Sequence, residues 1–466
     1  MAEEIELKLL MQPQDLPLLD KLMQDLGAQQ PQVRWLENTY LDTPSLDLNQ
    51  HRAALRLRNT GQGWVQTLKT SGASRGALSR RGEWEVALQK PELDPQQLPE
   101  GVLEPEWLAQ LQPIFTTHFT RKAWQLQTQL KGQALAVELA ADQGEVALLN
   151  GKKDELCELE LELQQGEPEA LFTLAQHFAD KISLHLGLAS KAERALRLLD
   201  AGQVDALVCP QLGEQTQLDA LLELANYQLN RWISCHERWA FNAEERELQE
   251  AQRALLSLQG LLVVAQRLCP QAPLHAARVE IKKLLAAFAP LVVASHADRV
   301  LQSLQLPTAT ASSWRLNHLG YAERRRQYRS LWKQVWVGQA EIKLLQGLYL
   351  SFSLAEPFPS EAPKRLLAAA CAHLRLPLQP MDVAGWLQRY PALIRLQMLL
   401  QQAAPEATKD LRLANQLVAG IEDLQGYQVW LSQDALPQAI EQQLLRLRQD
   451  LLFNLGRWSQ TLWTAA

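Results

Sequence analysis

The chain of 466 residues is long enough for two or three ordinary domains of about 150 residues each. Its 47% hydrophobic and 21% charged content excludes a disordered or low-complexity protein. The net charge of −6 is unevenly spread: residues 1–200 carry 20 basic and 29 acidic groups, and residues 201–466 carry 26 and 23. An acidic first half excludes plain nucleic-acid binding, which needs a strongly basic face, and admits a site for divalent cations.

Alternation with period two predicts strands over 3–10, 35–42, 52–59, 64–70, 80–88, 118–128, 134–140, 145–149 and 156–163. Turn signals separate them at Thr60-Gly61-Gln62-Gly63, Ser71-Gly72, the Pro-rich 91–105, Asp142-Gln143-Gly144 and Asn150-Gly151. Helical spacing adds 15–27 and 167–186. A mixed α+β domain over 1–200, with many antiparallel strands, follows. Residues 201–215, with Gly202, Pro210 and Gly213, read as a linker. From 216 to 466 the period becomes 3.6, broken by prolines at 270, 307, 357, 380 and 405, which predicts an all-α domain of roughly eight or more helices. The longest apolar run, Leu284 to Ser295, is interrupted by Pro290 and falls short of the ~20 residues of a membrane span. The odd set Cys157, Cys209, Cys235, Cys269 and Cys371 forms no CxxC pair, and the start MAEEIELK is acidic. A reducing, cytoplasmic setting with no membrane partner is the expectation.

Chemistry enters through strand parity, since residues i, i+2 and i+4 share a face. Glu4, Glu6 and Lys8 share one, as do Arg56 and Arg58, Thr67 and Lys69, Arg81, Glu83 and Glu85, and Glu158, Glu160 and Glu162. Glu138 and Asp142 share parity, and Arg121 sits in Phe-Thr-Arg-Lys-Ala-Trp. One such strand is an ordinary solvated sheet face. Strand after strand of like charges is not, because adjacent like charges repel unless something between them neutralises the charge. A closed barrel with acidic and basic strands facing a lumen resolves this, with cations and a polyanion inside. Arginine and lysine bind phosphoryl oxygens; Mg²⁺ and Mn²⁺ take clustered carboxylates. Phosphoryl transfer needs positioning and charge neutralisation rather than a Ser, His or Cys nucleophile.

Glu4-x-Glu6-x-Lys8 resembles the ExExK signature of the CYTH superfamily, the triphosphate tunnel metalloenzymes. Further elements follow in that family's order: Asn38-Thr39-Tyr40-Leu41-Asp42-Thr43, Arg56-x-Arg58, Lys69, Arg81 with Glu83-x-Glu85, Arg121, Glu138 to Asp142, Glu158-x-Glu160-x-Glu162 and Ser190-Lys191. The resemblance implies an eight-stranded antiparallel tunnel. It implies a triphosphate gripped by Arg56, Arg58, Lys69, Arg81, Arg121 and Lys191, and Mg²⁺ or Mn²⁺ held by Glu4, Glu6, Glu160 and Glu162. Lys8, Glu85, Glu138 and Asp142 are the catalytic candidates, with the carboxylate that activates water left open.

The second half resembles a CHAD domain, on His275-Ala-Ala-Arg278-Val-Glu-Ile-Lys282-Lys283-Leu. That likeness implies polyphosphate contact through His275, Arg278 and Lys282. Glu250 stands where that family has His, and Leu319-Gly320 lacks its Arg-Asp. The cluster Arg324-Arg325-Arg326 with Arg329 reads as a solvated helix face. The tandem order is similar to that of bacterial inorganic triphosphatases, which implies tripolyphosphate as substrate and no specific nucleic-acid partner. Thiamine triphosphate, a nucleoside triphosphate, ATP cyclisation and a polyphosphate-binding scaffold are the other readings.

Overall fold

A computed structural model describes residues 2–70, 72, 74–99, 101–130, 133–199, 207–211, 216–304, 320–354, 368, 370, 374, 381–403, 408–433 and 436–463. Contacts divide the chain into two units, one of residues 1–206 with 334–346 and one of 207–333 with 347–466.

The first unit is built on β1 (Ala2–Leu10), β2 (Gln32–Asp42), β3 (Ala54–Asn59), β4 (Trp64–Lys69), β5 (Ser74–Arg75), β6 (Leu78–Leu88), β7 (Gln112–Leu130), β8 (Gln133–Leu148), β9 (Lys153–Gln165) and β10 (His185–Leu186). The sheet runs β10-β1-β9-β8-β7-β2-β3-β4-β6-β5, and β1 also pairs with β6. That extra pairing closes β1, β9, β8, β7, β2, β3, β4 and β6 into an antiparallel ring of eight, with β5 and β10 as short additions. Closure needs β1 to use both edges: β9 takes residues 6–10 on one, while β6 takes 2–7 and β10 takes 9–10 on the other.

The barrel is apolar outside and charged inside. Leu48, Leu55, Leu68 and Leu103 form a buried cluster on the outer face, with Trp84 and Trp107 packed against it. Trp84 therefore faces away from Glu83 and Glu85, as its parity predicts. Helices α1 (Leu16–Asp25), α2 (Asp47–Gln50), α3 (Pro105–Leu108), α4 (Glu169–Ala179) and α5 (Lys191–Leu199) belong to this unit. Inside, Leu36, Phe119 and Leu156 make a small apolar cluster.

Two expectations are corrected here. Asp142-Gln143-Gly144 is not a turn; β8 runs unbroken through it, paired residue by residue with β7. Gly144 is needed because a Cβ there would stand 2.0 Å from the His118 carbonyl oxygen, a close backbone approach inside a strand. The helix expected over 167–186 ends at Ala179, and His185 and Leu186 pair instead with Leu10 and Leu9, whose backbone edge would otherwise lack partners.

The second unit is helical: α6 (Gln217–Asn242), α7 (Glu245–Leu268), α8 (Leu274–Ser303), α9 (Tyr321–Trp332), α11 (Val383–Ala403), α12 (Thr408–Leu431) and α13 (Gln438–Trp463). Helix α10 (Val335–Phe352) lies between α9 and α11 in the chain. Its residues 335–346 group with the barrel and its last turns with the helices. The prolines at 307, 357, 380 and 405 lie outside the described residues. Helix α8 carries Pro290 inside it and, as a whole helix, is long and apolar enough to cross a membrane, with 56% of that window buried inside the protein. Arg324 corrects the solvated-face reading: it is 1% exposed and bonded to Glu245 at 2.9 Å and Asp298 at 3.0 Å. Arg326 on the same helix is exposed and pairs with Glu323.

Candidate functional site

A cavity of about 310 Å³ occupies the barrel. The strand pleat delivers its lining: Glu4 from β1, Arg56 and Arg58 from β3, Lys69 from β4, Glu83 and Glu85 from β6, Arg121 from β7, Glu138 from β8, and Glu160 and Glu162 from β9. Each pair sits two residues apart because the other parity is spent on the apolar outer face. Glu6, Lys8, Asp142 and Lys191 are buried at 5%, 6%, 0% and 7% exposure and stand outside the set that lines the cavity. The Arg81 backbone lies opposite Glu4 in the β1–β6 register; its side chain lies outside the described parts.

The buried floor is a salt-bridge cluster. Arg121 grips Asp142 with two bonds of 2.7 Å and reaches Glu160 at 2.7 Å. Lys191 bonds Glu158, and it lies 2.9 Å from Asp142 and 3.4 Å from Glu160. Its ammonium also stands 5.0 Å from the centre of the Phe119 ring. Burial opposes ionisation of Glu160, but Lys191 and Arg121 outweigh it and hold that carboxyl well below the usual range. Burial likewise opposes the charge on Arg121, and Asp142 and Glu160 overcome it and drive its pKa up. Asp142, Glu158 and Glu160 carry oxygens within 4.8 Å of one another, which is metal-ligand spacing. Arg121 and Lys191 already occupy that space, so these three carboxylates fit a structural role for their charge.

The cavity wall differs, because its charges lack enough partners. Burial, and then Glu4 and Glu138, push the Glu162 carboxyl up to about 7. Lys69 tempers this acidic side, bonding Glu4 at 2.8 Å and lying 3.4 Å from Glu83. Ser79 donates to Glu6 at 3.1 Å and Gln125 to Glu138 at 2.6 Å. On the basic side, burial and then Arg56 and Arg121 pull Arg58 down to about 9. Arg56 reaches Glu83 only at 3.8 Å and the Tyr40 hydroxyl at 3.4 Å, and its buried Nε lacks a hydrogen-bond partner. Carboxylates that depress one another's ionisation form a place for a cation, and guanidiniums that repel one another form a place for an anion.

Several contributors escaped the sequence reading. Asn38 accepts from Arg58 Nε at 2.7 Å and donates to Thr117 at 2.9 Å, so it aims the guanidinium. Burial opposes ionisation of Tyr40, but Arg56 and Lys191 overcome it and lower its pKa. Gln32, Arg34 and Leu36 line the cavity. Starting β2 at residue 35 hid Gln32 and Arg34, although the alternation Gln32-Val33-Arg34-Trp35-Leu36 carries the signal. Trp35 is 55% exposed and outside the cavity lining. In the helical unit, His275, Arg278 and Lys282 share one side of α8 at spacings of three and four. His275 and Lys282 are exposed and Arg278 is half-buried.

Residues 2–196 match the family model of the CYTH domain. Over 200 residues the chain is 32% identical to an inorganic triphosphatase of Haemophilus influenzae, covering 42% of this chain and 55% of that protein. The chain thus spans about half the length of the curated relative it matches. Among solved structures, it is similar to HpAC1 from Hippeastrum, described as having a dominant triphosphatase activity, at 19% identity and a TM-score of 0.31, covering 43% of this chain and 98% of that one. It is also similar to the PH1819 protein of Pyrococcus horikoshii, at 20% identity and a TM-score of 0.29, covering 42% and 98%.

Proposed function

We propose that the barrel hydrolyses a linear triphosphate, with inorganic tripolyphosphate as the substrate and Mg²⁺ or Mn²⁺ as the cofactor. One observation carries this: the cavity wall has too many cations on one side and too many carboxylates on the other. A polyanion with its own divalent cation neutralises both sides at once. The likeness to an inorganic triphosphatase supports the same reading. The lining also favours an inorganic substrate. Among the described residues it is charged, polar or aliphatic, with no aromatic side chain to stack on a base or thiazole ring.

The donor set fits a hard divalent cation. Glu4, Glu138 and Glu162 offer oxygens only, and Glu162 stays partly protonated near neutrality until a cation joins them. Such a cation, when bound, lowers the pKa of its water and neutralises phosphate charge. The chain's residues do the rest. Arg56 and Arg58 hold the phosphate oxygens, with Arg58 aimed by Asn38. Lys69 screens Glu4 and Glu83 from the substrate's charge. Water attacks the terminal phosphorus, the P–O–P bond breaks, and the water's proton passes to a carboxylate of the wall, Glu138 or Glu85. The products are phosphate and pyrophosphate.

The test is phosphate release from tripolyphosphate, thiamine triphosphate, ATP and pyrophosphate at equal concentration, with Mg²⁺ and then with EDTA. The reading expects tripolyphosphate to be cleaved fastest and EDTA to stop the reaction. Replacing Glu4 by Gln should abolish turnover and leave the fold intact. Full activity in that variant would remove Glu4 from the metal site. Polyphosphate binding through His275, Arg278 and Lys282 is a second proposal, motivated by their shared helix face. It expects binding of long-chain polyphosphate that weakens steeply with salt and is lost on Arg278→Ala.

A further inference from the structure

One edge of β1 passes from β6 to β10, and Lys8 sits at the junction. The Lys8 N–H donates to the Ala77 carbonyl at 3.1 Å, and the Lys8 carbonyl accepts from the Gly187 N–H at 3.1 Å. The flanking segments are slight. β10 has two residues, and the turn before β6 passes through Gly76 at a φ of +60°. Neither holds its position by strand pairing alone.

The first turns of α10 back both segments. Glu341 Oε2 accepts from the Leu186 N–H at 3.0 Å and lies 3.4 Å from His185 Nδ1. The Glu341 and His185 side chains are each 1% exposed. A carboxylate that deeply buried is costly unless its oxygens are engaged. The helix backbone also meets the chain directly: a Cβ on Gly338 would lie 1.5 Å from the Leu184 carbonyl oxygen. On the other side of the junction, a Cβ on Gly76 would lie 2.4 Å from Leu345 Cδ1. Gln339 ties the helix to α4, accepting from Gln176 at 3.1 Å and donating to Asp180 at 2.9 Å. Val337, Ala340, Ile342, Leu344 and Leu345 are all fully buried.

We propose that Glu341 and Gly338 are positioning residues for the triphosphate site. Through the segment Leu184–Gly187 they fix the backbone at Lys8, and with it the register that presents Glu4 and Glu6. The inference rests on the triphosphatase reading for its functional consequence. Neither residue touches the substrate. Their effect is on the geometry of strand β1, where a shift on the order of 1 Å can cost about a hundredfold in rate.

The experiment uses the full-length chain with Glu341→Ala and Glu341→Gln. Glutamine keeps a carbonyl oxygen for the Leu186 N–H; alanine does not. Two readouts are taken: amide hydrogen exchange at Lys8 and Gly187, and steady-state kinetics on tripolyphosphate with Mg²⁺. In Glu341→Ala, exchange at both amides should rise about tenfold or more. There kcat should fall roughly ten- to a hundredfold, with KM within about twofold because Arg56 and Arg58 stay in place. Glu341→Gln should recover most of both. Unchanged exchange at Lys8 and Gly187 in the alanine variant overturns the proposal, as does faster exchange with parental kcat. If Glu341→Ala does not fold, Leu345→Ala probes the Gly76 side of the same junction through the Lys8 amide. A parent chain that cleaves no triphosphate refutes the triphosphatase reading by itself, and the exchange result still decides whether Glu341 holds the junction.

Discussion

In the helical unit, buried and half-buried guanidiniums meet their carboxylates. Arg253 takes Glu422 through two bonds of 2.7 Å, and Tyr390 donates to the same carboxylate at 2.8 Å. Arg238 pairs with Glu247, and Arg324 with Glu245 and Asp298. The barrel unit repeats this pattern at its floor, where Arg121 and Lys191 hold three carboxylates, and at Arg194, which pairs with Asp154. Along its cavity the pairing is incomplete, leaving Arg58 with a lowered pKa and Glu162 with a raised one. Charges matched inside the chain belong to the architecture. Charges left in surplus around a cavity mark where something from outside completes the balance.

The contrast is sharpest on deletion. Glu422→Ala leaves the half-buried Arg253 with Glu250 alone and Tyr390 without its acceptor, and should cost about 1–3 kcal/mol of stability, read by denaturant titration, with kcat on tripolyphosphate unchanged. Arg56→Ala should do the reverse. It should lower kcat by about 10²–10³-fold and leave the unfolding midpoint close to the parent's. A large stability loss in that variant would mean that Arg56 is paired architecture after all.

A subtler test uses pH, and the two units should move in opposite directions. Glu162 in the folded barrel titrates near 7, above the ordinary carboxyl value of 4.5. Its contribution is complete below pH 4.5 and is lost as pH rises through 7. His296 is pulled from 6.5 down to about 4 by burial, against the influence of Glu422. Its contribution is complete above pH 6.5 and is lost as pH falls through 4. Against Glu162→Gln, the metal-free parent should lose stability between pH 4.5 and 7 on going up. Against His296→Gln, it should lose stability between pH 6.5 and 4 on going down. Each effect should be roughly 1–2 kcal/mol after allowance for solvent screening. Shifts of the same sign would break the comparison.

Much of the site was legible because a strand writes its two faces into alternate letters. Glu4-x-Glu6-x-Lys8, Arg56-x-Arg58 and Glu158-x-Glu160-x-Glu162 announce an inward charged face without any tertiary knowledge. What stayed hidden depends on neighbours distant in sequence. Gly144 reads as a turn residue, yet it serves the passage of the His118 backbone. Arg324 sits in a run of arginines that looks solvated, and only the placement of Glu245 and Asp298 buries it. Residues 334–346 carry the same helical periodicity whichever body they pack against, so nothing local assigns them to the barrel. Asn38 was visible as a residue but not as the one that aims Arg58, since a hydrogen bond between strands leaves no trace in either strand alone.

The closing role of β1 has a consequence for how the chain is made. Strand β1 pairs with β6, but its other edge waits for β9, which is made later. The barrel unit then gains its last piece only when residues 334–346 emerge, after all of 207–333. At about 5–20 residues per second that interval is on the order of ten seconds. Contacts so distant in sequence place this unit among slow folders. Throughout that interval the nascent barrel carries the β1 junction without its helix. A chaperone or a neighbouring strand edge has that long to find it.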